Sequence, residues 1–75
     1  MIGDIRRLLE AQPFERFSVV TSGGREYFVA TRDHADISPT GNRLIIWFDD
    51  DSAVTVSGLH ITAVHLVATA SGQGA

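Results

Sequence analysis

The hydrophobic rhythm of this chain changes at Pro13, and the change limits what it can fold into. Before Pro13, Ile2, Ile5, Leu8 and Leu9 recur at helical spacing. After it, apolar residues come in short runs parted by Gly, Asp, Ser and Pro, the pattern of strands and turns. The order predicts one short helix followed by about five strands. Such a chain makes a small, strongly bent antiparallel sheet or barrel with a helix laid against it, a mainly β (α+β) fold.

The helix is expected over 2–12, with Asp4, Arg6, Arg7 and Glu10 on the face opposite the apolar stripe. Asp4 lies near the positive end of the helix dipole, where a carboxylate is favourable. Pro13 disfavours helical geometry at Gln12 and ends the helix. So short a helix does not persist alone and must pack on the sheet.

Strands are expected at about 17–21, 25–31, 43–48, 53–56 and 61–67. Ser22-Gly23-Gly24 reads as a hairpin turn, because glycine accepts positive φ without steric cost. Residues 32–37 fit either an irregular bend or a continued strand. Ser38-Pro39-Thr40-Gly41-Asn42 is a loop by composition, and Asp49-Asp50-Asp51-Ser52 a second hairpin turn. The run Leu44-Ile45-Ile46-Trp47-Phe48 has no polar alternation, so both faces of that strand are expected to be covered. The expected core draws on Ile5, Leu8, Leu9, Phe17, Val19, Tyr27, Val29, Leu44, Ile46, Phe48, Val54, Val56, Ile61 and Val64. Residues 68–75 carry little to bury and are expected to form a flexible tail beyond a single domain at 1–67.

Seventy-five residues without cysteine leave neither a disulfide nor a thiolate metal site to stabilise so small a core. Self-association is therefore expected. The charge balance is six arginines against nine carboxylates, net −3. That argues against a general nucleic-acid coat, which needs many cations per stretch of phosphates. No export signal is visible near Asp4, Arg6 and Arg7, and no apolar run nears the ~20 residues of a membrane span. The cytoplasm is the expected compartment, and no membrane partner is expected.

Catalytic chemistry finds little support. Asp49, Asp50 and Asp51 could attract a hard cation, but Val54 stands where a calcium loop needs glycine. The turn reading is preferred. His60 and His65, five apart, face opposite ways in a regular strand. His34 has Asp33 and Asp36 nearby, too few ligands for zinc. There is no G-x-S-x-G elbow, no Walker loop and no G-x-G-x-x-G. The reading is no enzyme, no metal and no cofactor. Of the aromatics, Trp47 and Tyr27 are the ones expected at a partly exposed surface.

Two resemblances add to this. Ile5-Arg6-x-Leu8-Leu9-x-Ala11-x-Pro13-Phe14-x-x-Phe17, then Gly24-Arg25, Ser38-Pro39-x-Gly41 and Leu59-His60-Ile61-Thr62, resembles a family of small bacterial proteins with no assigned activity. The helix-plus-five-strand order resembles the Sm-like fold, which includes the Hfq family of bacterial RNA chaperones, and also SH3-like barrels. In Sm-like proteins a bent sheet pairs edge to edge into rings that bind RNA. Ser57-Gly58-Leu59-His60-Ile61-Thr62 is similar to a Tyr-Lys-His-Ala-Ile-Ser stretch that helps bind RNA there, with Leu59 in place of the lysine.

The leading expectation is a non-enzymatic binding or scaffold module that self-associates through a sheet edge, with Ile45 and Trp47 at the contact. The alternative, implied by the Sm-like resemblance, is RNA binding through His60, Arg25 and Arg43. A small metal-dependent enzyme is the remote third reading.

Overall fold

The computed structural model describes residues 1–67. Helix α1 spans Ile2–Glu10. Six strands follow: β1 (Phe17–Thr21), β2 (Glu26–Val29), β3 (Ala35–Ile37), β4 (Arg43–Trp47), β5 (Ala53–Ser57) and β6 (Ile61–Leu66). One-turn 3-10 helices at Arg32–His34 and Gly58–His60 join β2 to β3 and β5 to β6.

The single five-stranded sheet is corrected. The strands form two three-stranded antiparallel sheets, ordered β2-β1-β6 and β3-β4-β5. The ambiguous segment 32–37 is both things at once. Arg32–His34 turns the chain, and Ala35–Ile37 then pairs with Leu44–Ile46 as a sixth strand. β2 is correspondingly shorter than expected. β5 runs through Ser57, whose hydroxyl accepts from the Leu59 amide and starts the 3-10 turn there. The expected tail, 68–75, lies outside the described residues.

The helix ends two residues early. Ala11 is already extended, with φ −65° and ψ 143°, and its amide closes the last turn on Leu8. α1 buries Ile5 completely and Leu9 almost so. Each such burial contributes about 1.5–3 kcal/mol, which holds an otherwise unstable helix in place.

Strand alternation sends one face of each sheet inward. Phe17, Val19 and Val29 from the first sheet meet Leu44, Ile46 and Val56 from the second, with Ala35 and Ile61 closing the core. Leu8, Tyr27, Val54 and Val64 are half-buried against it. Phe48 corrects the expected core. β4 stops at Trp47, so Phe48 belongs to the following turn and is 39% exposed, its ring 6.3 Å from that of Tyr27. No helix among the described residues is long and apolar enough to cross a membrane.

Candidate interaction surface

β4 is the middle strand of the second sheet, hydrogen-bonded to β3 on one side and β5 on the other. Its apolar run conceals an alternation. Leu44 and Ile46 are fully buried, whereas Ile45 and Trp47 lie at the opposite parity and are half-buried. The expected cover is therefore complete on one face and partial on the other. Ile45 is flanked by Asp36 and Thr55, Trp47 by Ala53, and Arg43 by Ser57. Neither Ile45 nor Trp47 belongs to the side chains packed against the core. Among the described residues, β3 and β5 each keep one edge without a partner strand in the sheet.

The strand ends give this face opposite charges. At one end, the β4–β5 hairpin closes through Phe48 N–H to the Ser52 carbonyl, 2.8 Å, and Asp51 N–H to the Phe48 carbonyl, 3.0 Å. Asp51 sits in the left-handed region at φ 72°, which Asp tolerates better than most residues. The Ser52 hydroxyl, then its backbone N–H, donates to the Asp50 carboxylate and holds its pKa below the usual value. His34 Nε2 lies 3.1 Å from Asp49 Oδ1, and His34 Nδ1 lies 2.7 Å from the Thr31 hydroxyl. Thus His34 ties the β2–β3 bend to the acidic turn. The described residues contain no group of three or more His, Cys, Asp or Glu placed to hold a metal ion.

At the other end, His60, Arg25 and Arg43 are brought to neighbouring loops. The His60 carbonyl accepts from the Ser22 amide at 2.7 Å, and His60 Nδ1 lies 3.3 Å from the Ser22 hydroxyl. Arg25 closes the same hairpin through its carbonyl and Thr21 N–H, 2.8 Å. The Gly58 amide donates to the Asn42 carbonyl at 2.8 Å, beside Arg43. All three side chains are exposed, and none has an ion-pair partner among the described residues.

A cleft of about 790 Å³ opens here between α1 and the loops, lined by Ile2, Ser38, Asn42, Arg43, Ser57 and Leu59 among others, none of them acidic. Sequence reasoning missed Arg6. Its guanidinium reaches this end from α1, with Nη2 3.5 Å from where a side chain on Gly41 would begin. The helical spacing placed Arg6 on the polar face but said nothing of which loop that face would meet.

No family model, curated protein or solved structure matches the chain.

Proposed function

We propose that this chain is a non-enzymatic binding or scaffold module that self-associates through its second sheet. The observation carrying this reading is the outward pair Ile45 and Trp47, half-buried on the middle strand of the second sheet and outside the core cluster. Tryptophan anchors of this kind dominate association energies. The free edges of β3 and β5 lie beside them and offer further backbone pairing.

Size sets the strength. A five-residue strand spans ~17 Å and three strands cover roughly 10–15 Å across, so this face offers roughly 170–250 Å². A standard interface buries about 800 Å² per partner. The contact is therefore a weak, concentration-dependent one unless loops join it. The two three-stranded sheets, joined through bends at Arg32–His34 and Gly58–His60, support an Sm-like or SH3-like arrangement. The proposed compartment is the cytoplasm, where a cysteine-free core needs no disulfide.

Trp47 is the single tryptophan and reports on its own environment. On dilution from high to low micromolar concentration, its emission is expected to shift to the red as the face becomes wet. Emission that stays constant throughout that range would contradict burial of this face in an assembly.

The placement of Arg25, Arg43 and His60 on neighbouring loops, with Arg6 reaching Gly41 near Arg43, favours a second reading: Sm-like RNA binding there. Arginine clusters supply the salt-dependent part of such binding. A U-rich or A-rich oligonucleotide should then be retained at low salt and released at high salt. Failure to retain either one at low salt removes the reading.

A further inference from the structure

We infer that the self-contact is antiparallel and two-fold: the outer face of β4 docks on the same face of a second copy, with Arg43 of each over the acidic turn of the other. This rests on the self-association reading above and specifies its geometry.

The argument lies in the order of side chains along one line. Arg43, Ile45 and Trp47 occupy alternate positions on β4, and the acidic turn follows directly, with Asp49 held 3.1 Å from His34 on the bend before β3. The order is one cation, two apolar groups and then the anionic turn, the three strand positions spanning ~13 Å at strand rise. A two-fold axis level with Ile46 and perpendicular to the strand exchanges Arg43 with Asp49 and Ile45 with Trp47. The stripe is thus its own complement when reversed. Parallel docking would instead set Arg43 on Arg43 and three carboxylates on three carboxylates, which is repulsive.

The groups are free to do this. Arg43 is exposed and has no ion-pair partner among the described residues. The Asp49 side chain is 99% exposed even with His34 on one side of it. Asp36 is the other charge on this face, beside Ile45. In the reversed arrangement it falls near the level of the second copy's His34, one residue before Ala35, the imidazole that holds Asp49 at 3.1 Å. A contact that matches itself this way closes as a dimer and leaves no open end for a fibre. Charge complementarity of this kind fixes orientation more than it adds affinity.

The test is a charge exchange, read by sedimentation equilibrium. One variant is Arg43→Glu, acidic at both ends of the stripe. The other is Asp49→Arg with Asp51→Asn, an exchange that keeps a left-handed-tolerant residue at position 51. Each alone is expected to dimerise about tenfold more weakly than the wild type. An equimolar mixture is expected to recover heterodimer near wild-type strength, which also demonstrates that both variants are folded. If the wild type dimerises and both variants dimerise equally well, or the mixture shows no recovery, the antiparallel geometry is overturned while self-association stands. If the wild type is a monomer at every concentration, self-association falls and this inference falls with it.

Discussion

Gly58 lies so close to Ile2 that a Cβ added at Gly58 would stand 2.8 Å from Ile2 Cγ1 and 3.2 Å from the Asn42 carbonyl oxygen. The first turn of α1 is therefore seated directly on the β5–β6 bend. Gly58→Ala should cost about 1–3 kcal/mol by overpacking, because the Ile2 stem and a backbone oxygen must both give way. Urea unfolding should show the lower midpoint with an unchanged slope. A midpoint equal to the wild type would show that the helix is not held at this point.

Ser18 is buried at 1% exposure, and its hydroxyl donates to Glu26 Oε2 at 2.6 Å. Removing the acceptor leaves a buried hydroxyl without its partner, whereas removing the hydroxyl does not. Glu26→Ala should thus cost about 1–3 kcal/mol and exceed the cost of Ser18→Ala. Equal costs, or the reverse order, in matched unfolding experiments would show that the bond contributes nothing net.

Ile5 is fully buried and is the main anchor of α1. Ile5→Ala should cost about 2–5 kcal/mol through lost transfer energy and a residual cavity. Because so short a helix cannot persist alone, hydrogen exchange in 2–10 should rise first. Exchange that rises uniformly across both sheets would mean that helix and sheets unfold as one unit.

The Asp50 carboxylate is held below its usual pKa by the Ser52 hydroxyl and N–H. The sign follows. This turn is stabilised above the carboxylate's unfolded value, and the contribution fades as pH falls through the lowered, folded one. Ser52→Ala should move the Asp50 titration upward toward an ordinary aspartate. Carbon-detected NMR of the side-chain carboxyl reads this directly, and an unmoved titration would mean that the hydroxyl is not the cause.

The helix and its exit were legible in the sequence, because the stripe Ile2, Ile5, Leu8, Leu9 and the stop at Pro13 are local signals. The β4 face was half legible. Five apolar residues in a row hide which of them point inward, and only pairing with β3 and β5 shows Leu44 and Ile46 buried and Ile45 and Trp47 outside. β3 was not legible as a strand. It is three residues long and follows Arg32-Asp33-His34, so its register comes from β4 and not from its own pattern. The basic end was legible as residues but not as a place. Arg25, Arg43 and His60 are far apart in sequence and stand on neighbouring loops only because backbone bonds join the Thr21–Arg25 turn to His60 and Asn42 to Gly58.

Native mass against concentration, for the wild type and Trp47→Ala, tests self-association through the outer β4 face most directly. The wild type should pass from one chain mass toward two across roughly 1–500 μM, the range suited to so small a contact. Losing a tryptophan anchor of about 2 kcal/mol should hold Trp47→Ala at a single chain mass over most of that range. A wild type that stays at one chain mass throughout, or a Trp47→Ala variant that assembles as the wild type does, contradicts the account.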